Sequence, residues 1–157
     1  MKYLQINEAK NKNGLRLVLT AHVPGPWSEA AKAVFKLYNV DYEPVEQVGG
    51  RDNPELVDWT KHRNAPIAMY ENEPPRVRWQ EILDLAERLG TGPSLYPTDI
   101  EDRLTMVGLS SEICGENGFG WNARTIMQNV TYQAHGDKVF AKNPMFNDYQ
   151  FSEEAAT

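Results

Sequence analysis

Hydrophobic and polar positions along this chain change period in blocks, and each change marks an element. After the polar run NEAKNKNG, residues 15–20 (LRLVLT) are rich in branched apolar side chains and predict a buried strand. AHVPGP breaks it. Ala30, Ala31, Val34, Phe35 and Tyr38 then recur at three- and four-residue spacing, which predicts a helix starting at Ser28 with its apolar face on the sheet. Glu29 adds negative charge in the first turn, and Asn39 ends the helix. VDYEPVEQV alternates as a second strand, and Pro44 places it at a sheet edge, so the first half reads as a parallel βαβ unit.

A turn follows, then a short helix with Asn53 as cap and Pro54 at the favoured first position, its face formed by Leu56, Val57 and Trp59 or Thr60. APIAMY is a short strand beginning at Pro66. ENEPPR turns, and VRW returns antiparallel to complete a hairpin. QEILDLAERLG sets Ile82, Leu85, Ala86 and Leu89 on one side of a helix that stops at Gly90. The order to this point is β-α-β-α-β-β-α.

TGPSLYP has the Gly, Pro and Ser content of a linker. Beyond it the pattern is helical: Thr98 followed by Glu101 reads as a capping signal, and Leu104, Met106, Val107 and Leu109 or Ile113 form a predicted buried stripe. Gly115, Gly118 and Gly120 interrupt the helical unit. At the end, Ser152 with Glu153 and Glu154 reads either as a helix start or as a frayed polar tail.

Composition narrows the function classes. Sixteen basic against twenty-two acidic residues give a net charge of −6, which repels phosphate backbones and argues against nucleic acid as a partner. The first twenty residues hold no continuous apolar segment, so the reading expects a cytoplasmic protein without a membrane partner. Cys114 is the single cysteine, which excludes an intrachain disulfide, a dithiol redox pair and a multi-cysteine zinc site; no metal is expected.

The element order, the proline of NAPIAMY before the third strand, and the junction GPSLYPTDIEDR together resemble the glutathione S-transferase superfamily. The resemblance covers most of the chain and implies an α/β fold: a thioredoxin-like β-α-β-α-β-β-α domain followed by a partial all-α domain. Residues 1–90 would form the glutathione-binding domain, 91–97 the linker and 98–157 the partial helical domain. Pro66, Tyr96, Pro97, Asp99 and Arg103 fall in corresponding places, and Pro66 would be cis.

The resemblance also implies a site. Ser28, at the amino end of the first helix, would stand beside the glutathione sulfur, where the helix's partial positive charge favours thiolate over thiol and a hydroxyl adds to that bias. Ser28 equally fits a plain helix cap. Trp27 occupies the place where some members carry a catalytic cysteine, and packing alone would account for it. Ala65 would offer its backbone N–H and C=O to the cysteinyl part of the tripeptide beside Pro66. At the start of the third helix the family has an acidic or amide residue and then Ser, which bind the γ-glutamyl carboxylate; this chain has Arg78 and Trp79, and Trp79 supplies no hydroxyl. Arg78 and Gln80 could still hold an anion there.

Two other features fit both a functional and a packing role, His22 after the first strand and the GFGWNAR segment with Phe119, Trp121, Asn122 and Arg124 as a co-substrate wall, whereas Arg103 reads as a structural tie near the linker. The function implied is glutathione, as substrate, conjugated to a small-molecule electrophile, in a detoxifying enzyme that forms a homodimer. The alternative from another class is a non-catalytic thioredoxin-like binding or protein-interaction module.

Overall fold

A computed structural model describes residues 2–135, which divide into two units. One runs to Val48 and takes up again from Asp52 to Leu95; the other comprises Gly49–Arg51 and the chain from Tyr96. The first unit is built on α1 (Ile6–Ala9), β1 (Leu15–Thr20), α2 (Pro26–Leu37), β2 (Glu43–Gln47), α3 (Pro54–Thr60), β3 (Ile67–Tyr70) and α4 (Trp79–Leu89). Its sheet has the order β2-β1-β3, with β2 parallel and β3 antiparallel to β1.

The central strand has apolar cover on both sides, which is why its sequence is nearly all apolar. Val18 packs with Leu4, Ile6, Ala9, Val45, Leu56, Ile67 and Met69. Leu17 and Leu19 point the other way by strand alternation. Ala31 and Phe35 of α2 and Ile82, Leu83, Leu85 and Ala86 of α4 are buried as well, and these two helices pack on each other. Phe35, Leu17, Leu19, Leu56 and Ile67 are fully buried, each contributing about 1.5–3 kcal/mol of transfer free energy.

Several boundaries differ from expectation. The polar run before β1 hides α1, whose Ile6 and Ala9 are buried, and Leu4 bridges Val45 beyond the edge that Pro44 leaves open. Helix α2 starts at Pro26, with Gly25 at the N-cap, so Ser28 is the third helical residue and not the cap. Proline at the first position needs no amide there, which lets the helix begin early. The predicted hairpin strand reduces to one bridge, Ala68–Arg76, because helix α4 begins at Trp79. Asn53 does not cap α3 with its side chain; its Oδ1 accepts from Val48 N at 3.1 Å and its Nδ2 donates to Val48 O at 2.9 Å.

Gly90 ends α4 as expected, for a steric reason: a Cβ there would run into the Cβ and carbonyl oxygen of Tyr38. That approach is held by hydrogen bonds. Tyr38 Oη donates to Glu87 Oε1 at 2.5 Å and accepts from Leu95 N at 2.8 Å, while Ser94 Oγ donates to the same carboxylate oxygen at 2.6 Å. Thr91 N donates to Tyr38 O at 2.9 Å, and the chain after α4 is thereby pinned to the end of α2.

The second unit contains α5 (Ile100–Cys114) and α6 (Phe119–His135). Asp99, not Thr98, caps α5, its Oδ1 accepting from Glu101 N at 2.9 Å and Asp102 N at 3.1 Å. The expected buried stripe is not buried: Leu104, Leu109 and Ile113 are exposed and no residue of α5 is buried. At helical spacing the apolar residues fall into two stripes on opposite sides, Ile100, Leu104 and Val107 on one and Met106, Leu109 and Ile113 on the other, so no single partner face could cover them. Gly115 and Gly118 mark the break between the helices, whereas Gly120 lies inside α6. Arg103 bonds to Pro97 O through Nε at 3.1 Å and stands over the Tyr96 ring. The predicted helix start at Ser152 lies outside the described residues.

Candidate functional site

The carboxyl ends of β1 and β2 and the amino end of β3 meet at one end of the sheet, and the expected site residues of the first unit are arranged around it. Ser28 is buried, 4% exposed, and its Oγ accepts a long hydrogen bond from Thr20 N at 3.4 Å. Among the described residues no acceptor takes the Ser28 hydroxyl proton. The β1–β3 register ends with Val18 paired to Ile67, so Ala65, two residues before Ile67, and Thr20, two residues after Val18, both lie past that last pair at the same end of the sheet. Ser28 and Ala65 therefore converge on the same strand end.

The Ala65–Pro66 bond is cis, as the resemblance implied. Ala65 packs its side chain against the core cluster, while its backbone N–H and C=O make no hydrogen bond among the described residues. A strand-like edge is thus left open beside β1. Arg76 bridges Ala68 in β3, and helix α4 begins three residues after it, at Trp79.

At that start Arg78 and Gln80 are exposed and Trp79 is half-buried. Glu81 turns back on the helix end, its Oε2 accepting from Val77 N at 2.9 Å and Arg78 N at 3.0 Å. Burial raises the pKa of Glu81, but those two amides and the nearby guanidinium groups of Arg78 and Arg76 outweigh it, and the carboxyl titrates below its ordinary range. Trp27 is half-buried in the first turn of α2. His22, at positive φ, turns to β2: its Nε2 lies 3.9 Å from Glu46 Oε1 and its ring meets Tyr3 edge-on.

Sequence reasoning missed Gln47, the last residue of β2. It is 1% exposed, and its Nε2 donates to Val48 O and to Arg63 O, each at 3.3 Å, while Oε1 has no partner. Thr20 is its neighbour in the parallel register. The signal was present, a polar side chain closing a strand that enters the core, but one amide in an alternating strand reads as solvent-facing. Two open grooves lie elsewhere on this unit, one along α2 and β2 with Lys32 and Tyr42, the other beside Arg16 and Trp59; neither is lined by Ser28 or Ala65. Phe119, Trp121, Asn122 and Arg124 all belong to α6 in the second unit, where Phe119 is exposed and Asn122 Nδ2 donates to Asn117 O at 2.6 Å.

A three-stranded sheet of this order, flanked by helices, with a cis proline opening its antiparallel strand and helices following a short linker, is the architecture of the glutathione S-transferases: a thioredoxin-like domain with a helical domain behind it. The chain has that fold. It is similar to the Tau class glutathione S-transferase of mango, Mangifera indica, at 21% identity and a TM-score of 0.58, over 70% of this chain and 49% of that one. It is also similar to the trimeric glutathione transferase TDR1 of Leishmania, at 16% identity and a TM-score of 0.58, over 84% of this chain and 27% of that one. The chain therefore spans about half the length of the first and about a quarter of the second. No protein-family model and no curated protein matches the sequence. No helix among the described residues is long and apolar enough to cross a membrane.

Proposed function

We propose that this protein binds glutathione at the sheet end between Ser28 and Ala65 and conjugates its thiol to a small electrophile. The observation that carries the reading is the pairing of two uncommitted groups at one strand end: the Ser28 hydroxyl proton, and the N–H and C=O of Ala65. The tripeptide's cysteinyl part would lie along the Ala65 edge as an added strand. Its sulfur would face the amino end of α2, whose partial positive charge and the Ser28 hydroxyl both favour the thiolate.

The thiol proton leaves to solvent, the thiolate forms a carbon–sulfur bond, and the electrophile's leaving group departs with its electron pair. The protein contributes alignment and a lowered thiol pKa, without a covalent enzyme intermediate. Arg78 and Gln80 would hold a carboxylate of the tripeptide, with Trp79 and Trp27 forming apolar walls. In this reading residues 1–90 are the glutathione-binding domain, 91–97 the linker and the residues from 98 onward belong to a helical domain, in a cytoplasmic, detoxifying homodimer.

One observation favours a second reading. Ser28 is almost inaccessible and already accepts Thr20 N–H, as expected if the hydroxyl serves packing and the module binds a peptide or thiol without turnover. Turnover of glutathione with a chlorinated aromatic electrophile, measured for the wild type and for Ser28→Ala, separates the two. The transferase reading expects turnover, a fall in kcat/KM of about 100-fold in the variant for loss of one transition-state donor, and glutathione affinity within about threefold. Binding without turnover supports the module. A chain that binds no glutathione refutes the proposal.

A further inference from the structure

We infer that Gln47 is a positioning residue for the Ala65 edge, acting through the loop that carries it; the inference rests on the glutathione-site reading above. Gln47 sits at the end of an edge strand with 1% exposure, where an apolar side chain of similar size would need no hydrogen-bond partner. An amide there carries a penalty, since Oε1 is buried without a partner among the described residues. What the amide adds is donation: Nε2 reaches Val48 O on its own strand's continuation and Arg63 O across the fold, both at 3.3 Å.

Arg63 stands two residues before Ala65. The loop's other end is fixed by Thr60, fully buried, whose Oγ1 lies 2.9 Å from Leu56 O and 3.0 Å from His62 O and accepts from His62 N at 3.1 Å. Between them, Thr60 holds the exit of α3 and Gln47 holds Arg63 O, two residues before Ala65. A bound tripeptide would need the Ala65 N–H and C=O held in a fixed position at the end of the sheet. Gln47 supplies that constraint from β2, the strand whose Gln47 backbone already pairs with Ala21 through a 2.9 Å bond.

Gln47→Leu removes the donors at nearly constant volume, and Gln47→Met serves as a second, more adaptable replacement should the leucine variant fail to fold. Hydrogen exchange of residues 61–66 and calorimetric titration with glutathione are measured for wild type and variant, with exchange in β1 and α2 as the internal reference. The expected result is exchange accelerated in residues 61–66 alone, with the glutathione Kd raised about tenfold, as a shifted binding edge predicts. KM for glutathione rises in step while kcat at saturating thiol changes by less than about twofold.

Faster loop exchange with unchanged Kd overturns the positioning role. So does loosening spread evenly over β1, β2 and α2, which marks a merely structural residue. If the wild type binds no glutathione, the function reading fails, and the anchoring is then decided by exchange: a loop unchanged by both substitutions overturns it.

Discussion

Tyr38→Phe tests the energetics of the segment that follows α4 and packs on the end of α2. The phenol is 2% exposed, and its oxygen makes two hydrogen bonds, donating to Glu87 Oε1 at 2.5 Å and accepting from Leu95 N at 2.8 Å. The phenylalanine ring keeps the packing, so the loss is confined to the hydroxyl. A hydrogen bond to a charged partner contributes about 1.5–3 kcal/mol. Two facts place this one at the low end: Glu87 keeps Ser94 Oγ at 2.6 Å, and Leu95 N also reaches Glu87 Oε1, at 2.9 Å. Neither group is stranded, and about 1.5 kcal/mol is the expected destabilisation.

Urea titration followed by tryptophan fluorescence should show that loss as a lower midpoint at unchanged slope. A double-mutant cycle with Glu87→Gln should return a coupling of about 1 kcal/mol. Burial, and then the bond to Glu87, raise the Tyr38 pKa above the ordinary value of a tyrosine. A raised pKa means the folded chain favours the neutral phenol, so this stability is complete below the unfolded tyrosine's pKa and fades as pH rises through the folded value. The variant should lack that alkaline limb. A shift below about 0.5 kcal/mol, or the same alkaline loss in both proteins, refutes the reasoning.

Two glycines should respond with opposite sign. Gly90→Ala puts a methyl against Tyr38 Cβ and backbone and should cost about 1–3 kcal/mol, whereas Gly108→Ala, which meets open space in α5, should stabilise by about 0.5–1 kcal/mol; thermal melts of both variants check this. Glu81, with its lowered pKa, supports α4 fully above the unfolded carboxyl's pKa and loses that support as pH falls through the folded value. Glu81→Gln should therefore flatten the acid side of the stability curve and lower stability at pH 7 by about 1 kcal/mol, read by denaturant titration at a series of pH values.

The first unit was largely legible because its elements announce themselves by period. Leu15–Leu19, apolar at every position but Arg16, has the run of a strand covered on both sides, Pro44 stood where an edge strand tolerates it, and Gly90 stopped a helix where only hydrogen fits. Features decided by tertiary contact were not legible. Helix α1 is four residues in a polar run, and only the pocket made by Val18, Val45 and Leu56 turns Leu4, Ile6 and Ala9 into core. Thr98 and Asp99 are both good caps, and the chain's path chose the second. Apolar residues of α5 read as one buried stripe because spacing counts neighbours but not the side of the helix on which successive groups fall.

At the site, legibility ended at Ser28, and the reason bears on what the residue does. A serine at a helix start is ordinarily explained by capping, but Gly25 holds the cap position, so that explanation does not apply here. The hydroxyl oxygen instead receives Thr20 N–H from the central strand, at 3.4 Å, a distance that makes the bond weak. Weakness cuts in a definite direction. A long bond to the oxygen contributes little to folding, and alanine in its place would fill the same space with little strain. Stability alone therefore gives small reason for a hydroxyl at this point, and the hydroxyl proton, which no acceptor among the described residues takes, is the property that alanine would remove. Ser28→Ala should accordingly change chemistry far more than melting temperature, and the ratio of those two effects is the quantity that separates a site residue from a packing residue.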